Sequence, residues 1–67
     1  MIVLNGQSSD LRAGDTLGLA LERLGLSLQA RGVAVAVDGE VVPRASWATY
    51  TLEADARVEI LSAMQGG

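Results

Sequence analysis

Between Gly32 and Pro43 the chain reads Val33-Ala34-Val35-Ala36-Val37-Asp38-Gly39-Glu40-Val41-Val42, and this stretch limits the possible folds more than any other. Alternating Val and Ala puts large side chains on one face of a strand and small ones on the other, the pattern of a sheet with one face against a core. Asp38-Gly39 reads as a two-residue hairpin turn, because both residues tolerate the positive φ of a type I′ turn. Pro43 has no amide donor, so the returning strand over 40–42 is short and lies at a sheet edge.

A second turn of the same kind stands near the start. Met1-Ile2-Val3-Leu4 is an apolar run, Asn5-Gly6 reverses it, and residues 7–11 return as a more polar strand nearer an edge. Between the two hairpins lies a short helix. Thr16 is the expected N-cap, with Asp15 as the near alternative. Leu17, Ala20, Leu21 and Leu24 then fall at i, i+3, i+4 and i+7 on one stripe, with Glu22 and Arg23 opposite. Gly18 weakens the helix interior, and Gly25 suits the left-handed position that ends it. Leu26 and Leu28 anchor the connection to the central hairpin. Residues 45–51 have no strand period and are expected to hold a helical turn, with Trp47 closing one end of the core. Leu52 anchors the next loop, 53–56 turn, and 57–61 form the last strand.

The order is therefore β-β-α-β-β-turn-β. One helix crosses between two hairpins, and right-handed crossover geometry packs it on one face of the sheet. If the last strand inserts beside the first, the sheet has a parallel pair in its middle. That is an α+β, ubiquitin-like β-grasp fold: a mixed five-stranded sheet against one main helix. Residues 1–61 make the domain, and 62–67 read as a mobile tail carrying a Gly-Gly pair, about 20 Å long when extended.

Residue types narrow the chemistry. The chain has no Cys, no His and no Lys, which excludes disulfides, thiolate or imidazole metal ligands, and Cys, His or Schiff-base Lys catalysis. Net charge is −3, and the five arginines, at 12, 23, 31, 44 and 57, never cluster, so no nucleic-acid footprint is expected. The longest strongly apolar stretch, Val33–Val37, is far too short to span a membrane, and the start lacks the pattern of a signal peptide. A cytoplasmic location is the default expectation. Asp10 with Asp15, and Asp55 with Glu59, read as solvated turn or edge residues rather than acid–base pairs. Gly14, Gly18 and Gly25 have neither the spacing nor the Lys of a phosphate loop.

Chemistry is left to the segment Ser62-Ala63-Met64-Gln65-Gly66-Gly67. Two glycines make a slender end that can enter a channel where a Cβ would collide. The α-carboxylate of Gly67, with a reference pKa of about 3.3–3.7, is ionised near neutral pH and is a poor electrophile. Adenylation by ATP would make it reactive toward sulfur, giving a thiocarboxylate, or toward a lysine amine, giving an isopeptide. The chain offers no base, nucleophile or nucleotide loop of its own, so no residue is assigned a catalytic role and no metal site is expected. Gly67 is the expected modified residue, with Gly66 and Gln65 threading the tail. Leu61 and Met64, with the charge of Glu59, are expected to dock it on the partner. The blander alternative is that Gly66-Gly67 is a frayed end.

The sequence resembles the thiamine biosynthesis sulfur carrier family, ThiS. The resemblance is carried by Ile2-Val3-Leu4-Asn5-Gly6-Gln7, Thr16-Leu17, the run from Val33 through Pro43-Arg44 with Trp47, Val58-Glu59-Ile60 and Gly66-Gly67. It implies a β-grasp carrier in the cytoplasm, acting in thiazole formation for thiamine. An E1-like adenylyltransferase (ThiF-like) would adenylate Gly67 with ATP and Mg²⁺, and the carrier itself would bind no cofactor. A cysteine desulfurase route would supply the sulfur, and the resulting thiocarboxylate would go to thiazole synthase (ThiG-like). Two positions depart from the family pattern: Asp55-Ala56-Arg57 where Asp-Gly-Asp is common, and Asp38 where Asn is common. Other readings stay open: the small subunit of molybdopterin synthase, another ubiquitin-like sulfur carrier, or a β-grasp module that binds without covalent chemistry. Arg44 is expected either to fix the loop carrying Trp47 or to touch a partner.

Overall fold

A computed structural model describes residues 1–63, in which the elements follow as β1 (Val3–Leu4), β2 (Gln7–Ser8), α1 (Leu17–Arg23), β3 (Val33–Val37), β4 (Glu40–Val41), a 3₁₀ turn (Arg44–Ser46) and β5 (Arg57–Ser62). The sheet order is β2-β1-β5-β3-β4. β5 lies in the middle, parallel to β1 and antiparallel to β3, as the β-grasp reading requires. Both hairpin turns have positive φ at both central residues, Asn5 and Gly6 at 51° and 82°, Asp38 and Gly39 at 51° and 86°.

The helix start shows why so short a helix holds. Thr16 is the N-cap, and its Oγ1 accepts from the Leu19 amide at 3.3 Å. The amide of Leu17 donates to the Tyr50 carbonyl and that of Gly18 to the Trp47 carbonyl, at 3.0 and 3.2 Å. Ala20 donates to the Thr16 carbonyl in the first i→i−4 bond of the helix, so three of the amides that a helix N-terminus leaves without intrahelical partners, those of Leu17, Gly18 and Leu19, have found acceptors. A single β-bridge between Thr16 and Thr51 ties the same two segments. At the other end the Gly25 amide donates to Glu22 and the Leu26 amide to Leu21, with Gly25 at φ 76°, a Schellman closure.

Leu17, Ala20 and Leu21 from the helix pack on Ile2, Leu4, Val35, Val37, Val58 and Ile60 from the sheet. Leu11, Val42, Trp47, Leu52 and Ala56 close the rim. Three local expectations change. Leu24 is 40% exposed, because the helix ends at Arg23 and the fourth stripe position rotates off the core face. The second strand covers Gln7–Ser8 only, since Ser9 turns back: its hydroxyl donates to the Ile2 carbonyl at 2.7 Å and accepts from the Leu11 amide at 3.2 Å, sending Leu11 into the core. The last strand runs through Ser62, and the Ala63 amide donates to the Gly32 carbonyl at 2.7 Å.

Gly18 is a place where the fold tolerates more side chain than it has. A Cβ there would meet Leu28 Cδ2 and Thr16 Oγ1 at 3.6 Å, ordinary contact distance. Gly18→Ala is expected to raise stability by about 0.5–1 kcal/mol, by restricting the unfolded chain and adding that contact. A urea midpoint that falls instead would show strain at this helix start.

Candidate functional site

β5 alternates sharply. Val58 and Ile60 point to the core, whereas Arg57, Glu59 and Leu61 point to the opposite, uncovered face of the sheet. Register places Leu61 beside Ala34 and Glu59 beside Ala36, with Val41 next to Ala36 on the far side. Leu61 is 70% exposed and Val41 77%, so Ala34, Ala36, Val41 and Leu61 form a shallow apolar patch bordered by Glu59. The small residues of β3 make it shallow: had Ala34 and Ala36 been larger, they would fill it. A second hollow, lined by Asn5, Gly6, Glu59 and Leu61, adjoins the patch across β5.

The two described docking residues of the sequence reading, Glu59 and Leu61, therefore share this open face. Ala34, Ala36 and Val41 join them there and were not anticipated. Their signal was present in the Val/Ala period, which assigns Ala34 and Ala36 to one face, but the neighbour of that face is set by β5, distant in sequence. Met64, Gln65, Gly66 and Gly67 lie outside the described residues.

Other candidates have ordinary partners. Asp10 accepts from Arg23 Nε at 2.9 Å, and that hydrogen bond holds its carboxyl below the usual carboxylate range. Asp15 accepts from the Arg12 amide at 2.8 Å. Asp55 pairs with the Met1 amino group, which likewise lowers its pKa, by hydrogen bond first and charge second. Among the described residues no group of three or more Asp or Glu comes together as metal ligands would. The Arg44 guanidinium donates to the carbonyls of Leu28 and Ala30 and lies 4.6 Å over the Trp47 ring, tying the connection after α1 to the 3₁₀ turn. Its contacts are those of a structural tie. On the helix side of the sheet, a separate hollow is lined by Thr16, Gly18, Leu19, Leu26, Leu28 and Ala48, on the face opposite the patch. No described helix is long and apolar enough to cross a membrane.

Two solved structures resemble this one over nearly all of its length. The crystal structure of a thiamine biosynthesis protein (ThiS) from Geobacter metallireducens is 29% identical, covers 98% of this chain and 97% of its own, and superposes with a TM-score of 0.71. The solution structure of a thiamine biosynthesis protein from the same organism is 29% identical, with a TM-score of 0.73 over 98% of this chain and 86% of the other. No curated protein matches. The ThiS family model matches residues 2–67, and on that match the chain belongs to the ThiS family.

Proposed function

We propose that the chain is the sulfur carrier of thiazole formation in thiamine biosynthesis, and that the α-carboxylate of Gly67 is its reacting group. The observation that carries the reading is the family match, which runs through Gly66-Gly67. In the proposed sequence a carboxylate oxygen attacks the α-phosphorus of ATP, pyrophosphate leaves, and the acyl-adenylate holds AMP as its leaving group. The outer sulfur of a persulfide from a cysteine desulfurase route then displaces AMP to give an acyl disulfide, and a thiol reductant cleaves its S–S bond, leaving a disulfide and a thiocarboxylate for thiazole synthase. An E1-like adenylyltransferase supplies the nucleotide site and Mg²⁺, and this chain is a co-substrate that acts in the cytoplasm.

The roles of its own residues follow from size and exposure. Gln65 and Gly66 thread the end into the partner, where the bare backbone of Gly66-Gly67 passes a constriction that side chains would block. The open face docks the domain: Leu61 supplies apolar contact and Glu59 a charge that orients the approach, while Met64, outside the described residues, adds an adaptable thioether. A mobile six-residue segment, 62–67, was the sequence expectation. The four residues after Ala63 span at most about 14 Å when extended, so the docked face and the reacting carboxylate must be near neighbours on the partner.

The test is an intact-mass measurement after incubation with an E1-like enzyme, ATP, Mg²⁺ and a sulfur source. The expected result is ATP-dependent exchange of one carboxyl oxygen for sulfur at Gly67, abolished when that carboxylate is blocked as an amide. Equal pathway activity with the blocked chain would overturn the reading and favour a non-covalent module. Separate incubations with thiazole-pathway and molybdopterin-pathway enzymes tell the two sulfur acceptors apart.

A further inference from the structure

We infer that Asn5 is a positioning residue: its carboxamide makes the last rung between β1 and β5, and so sets the end of β5, with Glu59 and Leu61, in the geometry that a partner reads. This deepens the carrier reading and rests on it.

The ladder shows the substitution of side chain for backbone. Along the parallel pair the Val3 amide donates to the Ala56 carbonyl and the Asn5 amide to the Val58 carbonyl, both at 2.9 Å. A continuing strand would next pair its backbone with Ile60. Instead Asn5 sits at φ 51° in the hairpin turn, and the main chain bends away toward β2. Its side chain takes over the missing rung: Nδ2 donates to the Ile60 carbonyl at 3.1 Å, and Oδ1 accepts from the Ile60 amide at 2.7 Å. A primary carboxamide carries one acceptor and a donor in one plane, the same complement as a peptide unit, so it can end a parallel ladder without a strand residue. Ile60 is buried, and in a strand its amide and carbonyl both face the same neighbour. Without Asn5, both groups lose their partner beside the hollow lined by Asn5, Gly6, Glu59 and Leu61.

Two substitutions separate this role from that of the turn, since Gly and Asp also accept positive φ. Asn5→Gly removes both bonds. Asn5→Asp keeps an acceptor for the Ile60 amide but sets a carboxylate oxygen against the Ile60 carbonyl. In Asn5→Gly the Ile60 amide is expected to exchange with solvent roughly tenfold faster, relative to Val58, than in the wild type. With the E1-like enzyme, ATP and Mg²⁺, its KM as carrier substrate should rise about three- to tenfold with kcat unchanged, because a misplaced strand end weakens docking and leaves the partner's chemistry intact. For Asn5→Asp, the loss in thermal midpoint relative to wild type should shrink as pH falls through the carboxyl's pKa and the protonated group regains a donor.

An unchanged Ile60 exchange rate, or a midpoint deficit that does not vary with pH, would overturn the rung. A faster-exchanging Ile60 with unchanged KM would overturn the positioning role, leaving a purely structural contact. Wild-type chain that is never activated would overturn the carrier reading and this inference together, a result distinct from an active wild type with indifferent variants.

Discussion

Trp47→Ala is expected to destabilise the domain by about 3–5 kcal/mol, the range for deleting a large buried aromatic. Chains of this length have a total stability on the order of 3–10 kcal/mol, so the variant should be near its unfolding threshold at 37 °C. Burial and three contacts explain the size of the effect. The indole is 2% exposed and plugs the rim of the core. Its Nε1 donates to the Val42 carbonyl at 2.8 Å, and its ring carries the Arg44 guanidinium that ties down the connection after α1. Its own carbonyl accepts from the Gly18 amide, so disorder in 44–50 would also release the helix start. Trp47→Phe keeps much of the bulk but leaves the Val42 carbonyl without its donor, and should cost about 1–3 kcal/mol. Urea unfolding followed by circular dichroism measures both, since the fluorescent side chain is the one removed. A loss below about 1 kcal/mol for Trp47→Ala would mean that the rim folds independently of the core.

Leu61→Asp should produce the largest functional loss among changes that spare the fold. Leu61 faces solvent on the β5 side of the apolar patch, with Ala34 beside it and no place in the buried core. A charged residue at an exposed strand position costs the fold up to about 1 kcal/mol. On a docking surface the same change desolvates a carboxylate against an apolar partner, and affinity for the E1-like enzyme should fall by tenfold or more. The comparison to make is between affinity, by calorimetry or surface capture, and the thermal midpoint of the same protein. Undiminished affinity would show that the open sheet face is not where the activating partner sits.

Much of the fold was legible because the deciding forces are local. Asn5-Gly6 and Asp38-Gly39 specify left-handed backbone within two residues, Thr16 caps its helix within three, and Gly25 ends it. Trp47 was legible as a plug because the one Trp in a domain this small has few places to be buried. Leu24 misled, because a stripe spaced at i+7 assumes a helix long enough to reach it, and Gly25 stops the turn first. The strand over 7–11 misled because Ser9 redirects the chain by hydrogen bonds to Ile2 and Leu11, which no alternation of residue types announces.

The candidate site divides in the same way. Glu59 and Leu61 were legible as neighbours on one face by their spacing of two. Ala34, Ala36 and Val41 enter the site only through cross-strand register, and Asn5 enters it only through a contact spanning 55 positions.

The amino-acid sequence by itself determined where the backbone turns, where the helix begins and ends, and which side of each strand is apolar. These depend on steric and hydrogen-bonding preferences that act within a few residues. Only the tertiary structure decided that β5 lies between β1 and β3, that the patch around Leu61 is continuous, and that the Asn5 carboxamide meets Ile60. Those outcomes arise when strands distant in sequence choose the register that buries both of their apolar faces against one helix, a choice made by the whole chain at once.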